Sequence, residues 1–203
     1  MAEGVWKNIG HELKEHVPFT AFGALTGVAI MLVLVYAKEP RALSETLFWG
    51  LHPLHVFLSA LATVGMYRLH SKGPIWATVL IGYFGSIGIA TLSDSLIPFA
   101  GEWLLGLPNR GVHFGFIEKW WLVNPLAFAG IATACFWPQT KFPHAGHVLL
   151  STWASLFHMT MALGETLDVR TTPLVAVFLF LAVWIPCCTS DIVFPLLFSR
   201  EQP

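Results

Sequence analysis

The segment His52-Pro-Leu-His55-Val-Phe-Leu-Ser59-Ala-Leu-Ala62-Thr63 recurs without a gap as His144-Ala-Gly-His147-Val-Leu-Leu-Ser151-Thr-Trp-Ala154-Ser155. Both copies read HxxHVxLSxxA followed by a small hydroxyl residue. A second pair follows, Ser93-Asp94-Ser-Leu-Ile-Pro98 and Ser190-Asp191-Ile-Val-Phe-Pro195, and Pro74 and Pro173 open the matching apolar runs. The matched residues are the scarce ones in an apolar chain, because imidazole and carboxylate side chains are costly in hydrocarbon. Their recurrence reads as duplication.

The surroundings of the two copies set the fold class. The chain has 203 residues, of which 55% are hydrophobic and 11% charged, whereas an ordinary soluble domain carries about 25% charged residues. Six charge-poor stretches, residues 17–37, 46–67, 73–93, 120–140, 142–164 and 171–190, each approach the ~20 mostly apolar residues that a spanning helix needs. Each copy of the repeat therefore holds three spans, and an odd number makes the second copy enter from the opposite side of the membrane. The expected fold is an all-α membrane protein of six transmembrane helices, arranged as two inverted three-helix repeats over residues 17–107 and 108–203.

Residues 1–16 precede the first stretch and place Trp6, Ile9 and Leu13 near one side of a helix, with Lys7, Glu12, Lys14 and Glu15 elsewhere. A short N-terminal interfacial amphipathic helix is expected there. Basic residues divide almost evenly between the two sets of loop ends, with a slight excess that puts both termini in the cytoplasm. The expected location is a multi-pass integral position in an inner membrane of the bacterial or archaeal type, with the lipid bilayer as the constant partner and a homodimer compatible with the sequence. A formal charge of −1 leaves no basic excess for nucleic acid. Cys135, Cys187 and Cys188 are an odd count in apolar stretches, which excludes a secreted disulfide framework; they read as apolar packing residues.

The histidines carry the chemistry. His52 and His55 are three residues apart, so a helix projects both imidazoles from one face. Counting inward from Glu45 for His52 and from Gly101 for Asp94 puts these side chains at one depth on adjacent helices. The same count gives His144, His147 and Asp191 as the second trio, approached from the opposite side. Pro98 and Pro195 stand four residues after the aspartates and have no N–H for their carbonyls, a feature tolerated at membrane depth where backbone lines a cavity or binds an ion. Imidazoles with oxygen ligands suit a divalent transition metal, with zinc or iron favoured and manganese also admitted.

Weaker signals lie around these trios. His55, Ser59 and Thr63 in the first copy, and His147, Ser151 and Ser155 in the second, form polar stripes at four-residue spacing, with Met66 and His158 at the next related positions. They read equally as a path for an ion or as close helix packing. His11, Glu12, Glu15 and His16 could gather metal at one mouth, and His113 with Glu118 at the other. The sequence thus predicts a membrane transporter for a divalent transition metal ion rather than an enzyme. An intramembrane zinc hydrolase acting on a lipid is the alternative, disfavoured because the trio is duplicated and the nearby spare carboxyl group is Glu165 alone, close to solvent. A b-type cytochrome subunit comes third, since two histidines three apart on one helix do not face each other across a haem.

Overall fold

The computed structural model describes residues 2–37, 41–138, 141–163, 171–188 and 193–198; within these, the side chains of 2–16, 19, 141–144, 171, 188 and 196 lie outside the description. Among the described residues all regular structure is helical. Helix α1 covers Ala2–Tyr36 and α2 covers Arg41–His70. The chain then breaks at Gly73-Pro74, where Pro74 is extended (φ −66°, ψ 154°) and α3 begins, Ile75–Thr91. A single π-helical turn, Leu92–Leu96, joins α3 to α4, Ile97–Leu104. A loop turning at Gly106, whose φ of 65° suits glycine, leads to the short α5, Gly115–Glu118, and then to α6, Trp120–Phe136. Helices α7, Lys141–Ala162, α8, Thr171–Cys188, and α9, Phe194–Leu197, complete the chain.

Two of these boundaries differ from the sequence reading. The separate interfacial helix at residues 1–16 is not a separate element, because α1 runs unbroken through His16 and past Pro18. The residues around that point, His11-Glu-Leu-Lys-Glu-His16, include good helix formers and no turn signal. The third stretch is likewise not one α-helix, since the π turn interrupts it before Pro98. Arg41–His70 and the composite Ile75–Leu104 are long and apolar enough to cross a membrane, while the apolar helices Thr20–Tyr36, Trp120–Phe136 and Thr172–Cys187 are shorter. Length and composition thus support two of the six expected spans.

Helix α2 is the centre of the assembly, packing along α7, α6 and α3, while α1 lies against α7 and α8. Close approach of α6 to α2 depends on Gly130, where a Cβ would collide with the Phe57 carbonyl oxygen and sit 2.9 Å from the Ala60 Cβ. The interior is polar where α2, α7 and the segment from α3 to α4 meet. His52, His55, Ser59, Thr63, Ser86, Ser93, Asp94, Glu102, His147, Ser151, Ser155 and His158 are all buried, while Phe22, Leu25, Val33, Phe84, Phe128 and Val177 are exposed. Buried polar groups and exposed large apolar ones are the informative departures from ordinary water-facing surfaces.

Candidate functional site

The π turn explains how one short segment delivers several polar side chains inward. In an α-helix consecutive residues fan out by ~100°, so three in a row cannot all face one neighbour. Here Ser93, Asp94 and Ser95 are each completely buried. The Ile97 N–H bonds the Leu92 carbonyl, five residues back, which is the π pattern and widens the turn. Pro98, with no N–H, makes the ordinary helical bond to Asp94 impossible. That proline was the sequence signal; its consequence is a bulge that turns Asp94 and both flanking serines into the interior.

Asp94 is saturated with donors. Its Oδ2 accepts from Nδ1–H of His52 at 2.9 Å and of His55 at 2.7 Å. Its Oδ1 accepts from the Ser93 hydroxyl and from the Ser151 hydroxyl, each at 2.8 Å. An ionised carboxylate can only accept, so both imidazoles hold their protons on Nδ1 and, when neutral, carry a lone pair on Nε2. This is the arrangement in which a carboxylate orients histidines for ligation through the other ring nitrogen. Nε2 of His55 is buried and has no hydrogen-bond partner among the described residues. The position above Nε2 of His52 is occupied by Gly115, where a Cβ would collide with that nitrogen.

The second HxxH segment comes to the same place. The ring of His147 lies face to face on that of His55, with centroids 5.5 Å apart. Potential ligand atoms of His55, His147 and Cys187 all lie within 4.8 Å of one another, and all three residues are buried. The Cys187 thiol also donates to the Ser151 hydroxyl at 3.6 Å, which ties the thiol to Asp94 through one side chain. Two imidazoles, a thiol and a nearby carboxylate form a donor set that suits a borderline divalent ion such as zinc. Cys187, read from the sequence as a packing residue, is therefore part of the cluster. Only the approach of α8 to α2 and α7 could reveal it.

Ser155 donates to the Ser93 carbonyl at 2.9 Å, so the second stripe grips the π turn at two points. Ser59 and Thr63 are buried, and the Ser59 hydroxyl has no partner among the described residues. His144 lies in α7 and His11, Glu12, Glu15 and His16 lie in α1, with their side chains outside the description. Asp191 lies outside the described residues. Its relation to His144 and His147 is therefore a matter of sequence alone.

A further buried carboxylate, which the sequence motifs do not contain, lies nearby. Glu102, in α4, is completely buried and accepts from Nδ1–H of His158 at 2.7 Å. The Gly111 N–H approaches its other oxygen at 3.3 Å. His158 faces the Ser95 hydroxyl through Nε2 at 3.4 Å, and Ser95 accepts from the His113 N–H at 2.8 Å. His113 in turn donates through Nδ1–H to Glu118 at 3.1 Å, on the partly exposed side. The signal available was spacing: Glu102 stands eight residues after Asp94, two turns further along nearly the same face.

Fold and site together define a chain that is helical over its described regular structure, with a buried imidazole, thiol and carboxylate cluster among its central helices. Comparison with protein-family models, with curated proteins and with solved structures gave no match.

Proposed function

We propose that this chain is a multi-pass membrane carrier for a divalent transition metal ion, with zinc the leading cargo and iron next. The observation that carries the reading is the convergence of His55, His147 and Cys187, all buried, with ligand atoms within 4.8 Å, beside a carboxylate that orients His55. The membrane part is supported by the two helices of sufficient length and apolarity and by polar residues inside with large apolar residues outside. Six spans in two inverted halves remain the topology that the sequence repeat favours, with His144 and Asp191 as additional ligands on that ground. Carriers built from inverted repeats bind their cargo where the halves meet, near the bilayer midplane. The meeting of one histidine from each copy fits that expectation.

The enzyme alternative gains a spare carboxyl group in Glu102 but not a usable one. Eight residues of helix separate it from Asp94 by ~12 Å, whereas a general base must reach its proton directly or through one water. The haem alternative is disfavoured because ligand atoms of His55, His147 and Cys187 gather within 4.8 Å of one another, a set that suits a bare ion, whereas two axial ligands stand on opposite faces of a macrocycle.

The deciding experiment uses the purified full-length chain in proteoliposomes with zinc as the probe. The wild type should retain zinc on elemental analysis and carry it across the bilayer, and Asp94→Ala should lose the flux. Absence of any zinc binding or flux in the wild type would remove the carrier reading.

A further inference from the structure

We propose that Glu102 and His158 form a proton-carrying site that couples metal movement to proton movement in the opposite sense. The proposal rests on the carrier reading and deepens it by naming the coupling ion. Its geometric basis is a pair of ionisable side chains, 0% and 1% exposed, joined at 2.7 Å and set apart from the metal cluster.

The pair has a connection on each side. Outward, the ring of His158 meets that of His113 edge to face, with centroids 5.3 Å apart, and His113 bonds Glu118, whose side chain is 40% exposed. Inward, His158 faces Ser95, the neighbour of Asp94 on the π turn. Phe48, completely buried, stands between His158 and His52, stacked on His52 at 5.4 Å and in edge contact with His158 at the same distance. A phenyl ring at this point bars a hydrated ion, whereas closely spaced Asp, Glu and His side chains relay protons in membrane proteins.

The groups that face the pair fix the sign of its response. From the loop come the Gly111 N–H and His113, from α5 Glu118 beyond His113, and from α2 the uncharged Phe48 with His52 behind it. Lys119 lies further out, over the Trp49 ring at 5.6 Å. With one added proton the pair carries no net charge, whichever partner holds it; without it the pair carries one negative charge. A metal dication entering the buried cluster raises the local positive charge, and loss of that proton to the side from which the ion came offsets one unit of it. Uptake of a proton from the side to which the ion leaves favours release. Over one cycle a proton crosses the membrane against each ion.

The test compares two modes of zinc movement through the full-length chain in proteoliposomes. Uptake driven by an imposed pH gradient requires proton exchange, and zinc-for-zinc exchange at equal concentrations without a gradient does not. Glu102→Gln should lose driven uptake to the level of protein-free liposomes while retaining exchange. Driven uptake by this variant at the wild-type rate would overturn the coupling and leave the carrier reading standing. If Glu102→Gln loses both modes, His158→Gln decides, since it leaves Glu102 a hydrogen-bond donor but cannot bind a proton. Loss of driven uptake alone supports the proposal, and loss of both or of neither overturns it. A wild type that fails in both modes removes the carrier reading itself.

Discussion

The imidazoles of His55 and His147 stack with their planes 8° from parallel, although they come from two copies of one sequence segment 92 residues apart. The sequence places one trio in each copy, approached from opposite sides, and leaves open whether the two merge. Their contact follows from α2 and α7 packing along each other, with the small residues Gly146 and Gly130 admitting close neighbours to α2. A cluster at the junction of the halves depends on both copies at once, and the consequences can be measured.

Asp94→Asn should weaken zinc binding by about 10- to 100-fold, the usual cost of losing a partner that orients metal ligands. The amide presents one acceptor oxygen and one donor group, so it cannot accept from His52, His55, Ser93 and Ser151 together. Competition against a chelator of known affinity measures the change. Equal affinity in variant and wild type would show that Asp94 does not orient the histidines.

Cobalt provides a test of Cys187. Cobalt bound in place of zinc should give the wild type a near-ultraviolet thiolate-to-metal absorption, and Cys187→Ser should lose that band while binding through the histidines persists at reduced affinity. A spectrum unchanged by the substitution would place the thiol outside the ligand set.

Acidification should weaken binding. Histidine must be neutral to ligate, and the bonds to Asp94 keep the Nδ1 protons in place, so the competing proton adds at Nε2. Zinc dissociation constants measured from about pH 8 to about pH 5 should rise as pH falls, because the metal-free form binds more protons. A constant value across that range would argue against imidazole ligands.

Two glycines separate the site from the scaffold. Gly115→Ala would drive a Cβ into Nε2 of His52 and should reduce zinc affinity. Gly88 has nothing within 4 Å of its Cβ position, so Gly88→Ala should leave binding unchanged and raise helix stability by up to about 1 kcal/mol. Binding isotherms and thermal unfolding of the two variants in detergent check both halves of this expectation.

Phe84, on α3, is 64% exposed and tests the membrane assignment. In bilayer a lysine near the centre of a helix costs about 2.5 to 3.5 kcal/mol by insertion scales, whereas a surface change in water is usually within about 0.5 kcal/mol. Phe84→Lys should therefore reduce insertion in a membrane-integration assay. Integration equal to wild type would place this face in water.

The sequence alone determined the helical class, the break at Gly73-Pro74 and the common depth of His52, His55 and Asp94, because apolar run length, proline chemistry and rise per residue are local quantities. It also marked Pro98 as a place where helix bonding must fail. Only the tertiary structure decided that the failure takes the form of a π turn, that Cys187 reaches His55 and His147, and that Glu102 finds His158 across 56 residues of chain. Those relations depend on the rotation and offset of one helix against another, which are set by side-chain fit along the whole of each interface and leave no periodic trace in either strand of sequence.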